Sequence, residues 1–202
     1  MEQEKMENLT RAVLEKIFIP LEASGRHVHV TKAQAQALFG HDLTPARELS
    51  QPGQFLAKER VTVIGPKGSF ENVAVLGPAR KAAQVEISLT DGRTLGLNPP
   101  VRLSGDAKNS PGCTLIGNCG RVQLDEGVIA AQRHIHLPPQ DARRFGVADK
   151  QVVKLQTFTS RPAVFEDVVV RISPDFAAAV HLDYDEANAC GFTNGDWGRI
   201  IP

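Results

Sequence analysis

Gly25–Val30 reads GRHVHV, and 107 positions on, Gln132–Leu137 reads QRHIHL, so that His27 aligns with His134 and His29 with His136. In a strand, residues i and i+2 share a face, so each copy presents two imidazoles side by side while Arg26, Val28 and Val30 face the other way. The likeness extends past the histidines. VTKAQAQALFG follows the first pair, with Thr31 suited to an N-cap and Gly40 to a stop; LPPQDARRFG follows the second, with prolines at the helix start and Gly146 at its end. Each copy therefore reads as strand, short helix, Phe-Gly: an internal repeat. Outward from the repeats lie short β-type runs such as RVTVIGPKGS, ENVAVLGPAR, AQVEISLTDGRTLGL, QVVKLQTF and DVVVRIS, broken by Gly, Pro and Asp-Gly turns. Short strands spaced in this way favour sandwiches or barrels over a doubly wound sheet. The expected fold is mainly β: two small β-barrel domains related by a pseudo-two-fold, with short helices.

The chain has 202 residues, 42% of them hydrophobic, enough for a substantial core. Lys and Arg total 23, as do Asp and Glu. With no overall basic field, neither a nucleic acid nor a membrane is an expected partner, and an anionic ligand has to be held locally. No run approaches the roughly 20 apolar residues of a membrane span, and MEQEKMENLT lacks the basic start and apolar stretch of a signal peptide. These features predict a cytoplasmic protein. Helical spacing of Met6, Leu9, Val13, Leu14 and Ile17 predicts an N-terminal helix closed by Pro20, either docked on the protein or presented as a targeting or partner-binding segment. Cys113, Cys119 and Cys190 form no CxxC pair and read as reduced and mostly structural.

Five of the six histidines are His27, His29, His134, His136 and His181; His41, in FGHDLT, reads as a surface loop residue. One His-x-His in a strand is usually two hydrogen-bonded histidines, but two copies in the same frame have no basis in strand propensity and point to metal. A catalytic zinc takes about three protein ligands, and five histidines are one short for two metals. The remaining ligand is expected at Glu86, which alternates with Val85 and Ile87 and so points away from their apolar face.

In SGRHVHVT, LSQPGQF, VLGPARKAAQVEIS, RHIHLPPQDARRFGV and HLDYDEANA the chain resembles, over nearly its whole length, the PduL-type phosphate acyltransferases, or phosphate propanoyltransferases. The resemblance implies reversible transfer of a short acyl group between coenzyme A and inorganic phosphate at a dinuclear zinc site between two β-barrel domains. It implies that His27, His29 and Glu86 hold one zinc ion and His134, His136 and His181 the other. It also implies a discontinuous domain of residues 1–25 plus 132–202, with 26–131 as the second. Arg80, in GPARK, becomes the expected phosphate-binding catalytic residue, its planar donor fork being suited to that anion. For coenzyme A the resemblance points to Ser24, Leu76, His181 and Asn188, with Arg47 toward the nucleotide phosphates. Ala74 stands where a basic residue is expected, and Tyr184 where a small polar one is. No Ser, Cys or His is arranged as a covalent nucleophile, which favours direct attack by phosphate. A homo-oligomer, and bacterial microcompartment shell or lumen partners met through the N-terminal helix, are compatible with this reading. Two competitors remain: a dinuclear zinc hydrolase, and a non-catalytic microcompartment-associated protein that zinc stabilises.

Overall fold

Alternation of core and polar residues builds the sheets. A computed structural model of the chain describes Met6, Val13, Leu14 and residues 16–202, so most of the N-terminal helix expected from MENLTRAVLEKIF lies outside the described residues. The described strands and helices, in chain order, are β1 (Ile19–Ser24), β2 (His27–His29), α1 (Lys32–Phe39), β3 (Pro45–Glu48), β4 (Phe55–Ile64), β5 (Ser69–Gly77), β6 (Gln84–Ile87), α2 (Leu89–Leu95), β7 (Val101–Arg102), β8 (Cys113–Ile116), β9 (Arg121–Leu124), β10 (Val128–Ala131), β11 (His134–Leu137), α3 (Pro139–Phe145), β12 (Val152–Phe158), β13 (Val164–Ile172), β14 (Ala179–Asp183), α4 (Tyr184–Cys190) and β15 (Trp197–Ile201). No described helix is long and apolar enough to cross a membrane.

The chain divides into two units. One comprises residues 1–24, 133–182 and 186–202, the other residues 25–132 and 183–185. In the first, β1, β14, β11, β13, β12 and β15 form a closed six-stranded barrel. Ile19, Leu21, Ile135, Leu137, Leu155, Val168, Val170 and Leu182 fill its core. In the second, nine strands form one sheet in the order β7-β10-β6-β2-β5-β4-β8-β9, with β3 paired to β4. Val28, Val30, Val61, Val75, Val85 and Leu115 pack there with Leu38 and Phe39 of α1. Each fully buried aliphatic side chain of this kind contributes about 1.5–3 kcal/mol.

The second sheet differs from the expected closed barrel, and its edges explain why. A strand has two hydrogen-bonding sides. Its end strands are β9, paired to β8, and β7, paired to β10, and among the described residues these two do not pair with each other, so the sheet stays open.

The repeat runs through the pairing scheme. β2 lies parallel to β5 and antiparallel to β6, while β4 runs antiparallel to β5. β11, β13, β14 and β12 repeat that scheme in the barrel. Phe70-Glu71-Asn72-Val73 on β5 corresponds to Phe165-Glu166-Asp167-Val168 on β13, 95 positions later. Asn72 and Asp167 both hold positive φ, 56° and 53°, in the left-handed region that Asn and Asp tolerate better than most residues. Thr31 forms a capping box at the start of α1, and Pro139 occupies the first turn of α3. Both helices end on glycine in the left-handed conformation, Gly40 at φ 77° and Gly146 at φ 67°.

Candidate metal centres

In each unit the third donor lies directly across an antiparallel pair from the first histidine of the motif. His27 faces Glu86 between β2 and β6; His134 faces His181 between β11 and β14. Glu86 and His181 are 95 positions apart, as are the β5 and β13 segments, so they are the same element of the repeat in two chemistries. The donor atoms of His27, His29 and Glu86 lie within 4.8 Å of one another, and so do those of His134, His136 and His181.

Burial and second partners shape the first centre. His27 Nδ1 lies 2.8 Å from the Gly25 carbonyl and His29 Nδ1 3.2 Å from the Leu76 carbonyl. A carbonyl accepts only from a protonated Nδ1, which leaves Nε2 of the neutral ring as the free donor atom. Burial, with the nearby charges of His27 and Arg80, pushes the His29 pKa down to about 3, so this ring is neutral at physiological pH. Burial works against protonation of His27 as well, but the Glu86 carboxylate 3.6 Å from its Nε2 outweighs burial and the pKa is raised. Burial raises Glu86, yet His27, His29 and Ser104 together hold it well below the usual carboxylate range. The pair thus favours an ionised carboxylate beside an imidazole that holds its proton more tightly than a free one. A divalent cation held by these residues would take the place of that proton, as happens where metal ligands must be deprotonated. The donor sets, two imidazoles with a carboxylate and three imidazoles, suit zinc.

In the second centre the three rings stand 4.6–5.0 Å apart. Phe176 stacks on His136 at 4.0 Å. Glu22 of β1 places a carboxylate oxygen 3.7 Å from His181 Nδ1, the kind of outer partner that orients a ligating imidazole.

Arg80 is half-buried near the first centre. Its main-chain N–H donates to Val30 at 2.9 Å and its Nη1 donates to the Ser104 hydroxyl at 3.1 Å. Gln84 Nε2 donates to the same hydroxyl at 2.8 Å and to Glu86 at 2.5 Å, while Gln84 Oε1 accepts from Gly105 N at 2.7 Å. One network therefore ties the Arg80 fork to the Glu86 carboxylate. Sequence reading missed Gln84 and Ser104. Gln84 sits two residues before Glu86 and so on its face of β6, a signal that was available; Ser104 arrives from a turn with no such cue.

The residues expected to meet coenzyme A scatter over both units. Leu76, on β5, meets His29 through its carbonyl. Arg47 is exposed on β3, in register with Leu56, which in turn faces Leu76; the two intervening strand spacings amount to about 10 Å. Ser24 ends β1, and Asn188 is exposed on α4. Ala74 lies between His27 on one side and Arg60 on the other, and Arg60 directs Nη1 to the Ala57 and Glu59 carbonyls. The Tyr184 ring packs on Gly25, where an added Cβ would come within 2.6 Å of it. His41 is exposed, as expected of a loop residue.

The described residues thus make a mainly β chain with two groups of three potential metal ligands, one per copy of an internal repeat, the arrangement of a candidate two-metal protein. Comparison with known proteins is more specific. The model of the phosphate propanoyltransferase family matches residues 20–193. A phosphate propanoyltransferase of Listeria monocytogenes is 52% identical over 198 residues, covering 97% of this chain and 93% of its own. One from Enterococcus faecalis is 54% identical over 183 residues, 90% and 87% respectively, and one from Thermotoga maritima 51% over 181, 88% and 86%. The chain belongs to the phosphate propanoyltransferase family.

Proposed function

We propose that this protein is an acyltransferase that moves a propanoyl or similar short acyl group reversibly between coenzyme A and inorganic phosphate. Family membership over residues 20–193 carries this reading. A phosphate oxygen attacks the thioester carbonyl, a new C–O bond forms, the C–S bond breaks, and the thiolate of coenzyme A leaves with the electron pair. Arg80 holds the phosphate and faces the negative charge that develops on the thioester carbonyl oxygen. Ser104 and Gln84 fix the Arg80 fork beside Glu86. His27, His29 and Glu86 hold one zinc ion and His134, His136 and His181 a second. Bound zinc supplies Lewis-acid stabilisation of oxygen and a soft partner for the coenzyme A thiolate.

Ser24, Leu76, His181 and Asn188 contact coenzyme A, and Arg47 its nucleotide phosphates. Direct attack by phosphate, without an acyl-enzyme, fits the cysteines. The Cys113 thiol is pushed up to about 12 by burial, and burial raises that of Cys190, which leaves both as thiols rather than nucleophilic thiolates.

Release of free thiol from propanoyl-CoA, followed with and without phosphate, tests the reading. Transfer requires phosphate and yields the acyl phosphate. Equal release without phosphate, leaving free acid, identifies a hydrolase instead.

A further inference from the structure

In both copies of the motif an arginine stands immediately before the first histidine. Simple alternation would send Arg26 toward the core side with Val28, but the strand begins at His27 and the arginine turns elsewhere. Its Nε and Nη2 donate to the two carboxylate oxygens of Asp91 at 3.0 and 2.7 Å, and its guanidinium lies 4.1 Å from the centroid of Phe70. Arg133 makes a related set of contacts in the barrel, with its donors divided between two acceptors. Its Nη1 donates to Glu186 at 2.7 Å, its Nε donates to the Glu166 carbonyl at 2.6 Å, and its guanidinium lies 5.8 Å from the centroid of Phe165.

The partners are equivalent. Asp91 stands five residues after Glu86 and Glu186 five residues after His181; Phe70 and Phe165 are the matching aromatics of β5 and β13. Each arginine thus starts from the strand of the histidine pair, grips the helix that directly follows the third donor, and covers the aromatic of the strand that runs parallel to the histidines. Those three elements set where the donors of that centre lie. The third donor differs between copies, carboxylate against imidazole, and so does the acid, aspartate against glutamate, yet the linkage is the same.

We infer that Arg26 and Arg133 are positioning residues, each holding the third metal donor of its own unit against the histidine pair. The inference rests on the zinc reading above. The planar fork of Arg26 on Asp91 resists sliding in a way that one flexible ammonium does not, and Arg133 ties Glu186 to the Glu166 carbonyl through two donors of one rigid guanidinium. Metal–ligand distances tolerate only about 0.2 Å, so slack in the strand that carries Glu86 or His181 weakens the centre. An ordinary ion pair would contribute to the stability of its unit with no preference for metal.

Zinc titration of the full chain against a chromophoric chelator separates the two cases. The unsubstituted protein takes up two ions. Arg26→Gln weakens one of them by roughly 10- to 100-fold, the range for losing an outer partner of a ligand, and leaves the other unchanged; Arg133→Gln does the converse. Cobalt(II) absorption identifies the affected centre, because a site with a carboxylate and one with three imidazoles have different spectra. Arg26→Lys, which keeps the charge without the fork, recovers only part of the loss. Should Arg26→Gln fail to fold, Asp91→Asn breaks the same pair while keeping an oxygen for Ser88, and is read identically. Unchanged affinity at both centres, or equal weakening of both alongside a lower melting temperature of the metal-free protein, overturns the inference. Absence of zinc uptake by the unsubstituted protein overturns the metal reading beneath it as well.

Discussion

Arg80→Ala removes the cation that, in our proposal, holds phosphate, and the structure separates its effects. The side chain donates a hydrogen bond to Ser104. Its backbone bond to Val30 survives the substitution. Loss of the Ser104 bond by itself costs about 1 kcal/mol, which for a chain of this size lowers the melting temperature by roughly 2–4 °C. The positive charge of Arg80 also opposes protonation of His27 and His29, and by the same sign opposes a cation bound to them. Zinc content is therefore retained, with affinity unchanged or slightly higher. Turnover responds differently. Removing a donor aimed at developing charge costs about 100-fold or more in rate, about 2.7 kcal/mol. Ser104→Ala, which takes only one anchor from the arginine, lowers turnover by about fivefold, the equivalent of about 1 kcal/mol. Initial rates of acyl phosphate formation at saturating phosphate, with zinc measured by elemental analysis on the same samples, check both values. Turnover within about threefold of the unsubstituted enzyme refutes a catalytic role for Arg80, and loss of zinc along with activity shows that it supports the metal centre rather than the reaction.

Three further outcomes are expected. Ile135→Ala opens a cavity in the barrel beneath His134 and His136, where Ile135 is fully buried, and destabilises the protein by about 2–5 kcal/mol in denaturant titration. A thiol reagent followed by mass spectrometry labels Cys119, the exposed cysteine, in the native protein and reaches Cys113 and Cys190 only on unfolding; the singly labelled enzyme keeps its turnover, whereas its inactivation argues for an acyl-cysteine. Chelation of both metals abolishes turnover and lowers the melting temperature by roughly 15–30 °C if zinc had been present at about 1,000 times the dissociation constant of each site; a metal-free protein with full activity contradicts this.

The parts of the fold readable from sequence were those that local rules govern. Period-two alternation placed His27 with His29 and turned Glu86 away from Val85 and Ile87, which pack into the core. Thr31, Gly40 and Gly146 marked helix ends through capping chemistry that acts within a few residues. The rest depended on distant pairing. The likeness between FENV and FEDV was hidden because β3 and its flanking turns lengthen the first copy, so that the histidine pairs repeat at 107 positions and the later segments at 95. Closure of one sheet and not the other turned on β7 and β9, two and four residues long, occupying edges that no periodicity reveals. Alternation puts Arg26 on the face of Val28 and Val30 only if the strand reaches it, and the strand begins one residue later, at His27. Ser104 meets Arg80 and Gln84 from 24 and 20 positions away, through a turn whose path only the tertiary fold decides.

Metal content in the histidine-pair variants tests the duplicated centre most directly. Elemental analysis of the purified protein should find about two zinc ions per chain. His27→Ala with His29→Ala, and separately His134→Ala with His136→Ala, should each remove one ion, leave the other, and abolish acyl transfer. No bound metal in the unsubstituted protein, or loss of both ions from either variant while its fold is retained, would contradict one centre for each copy of the motif.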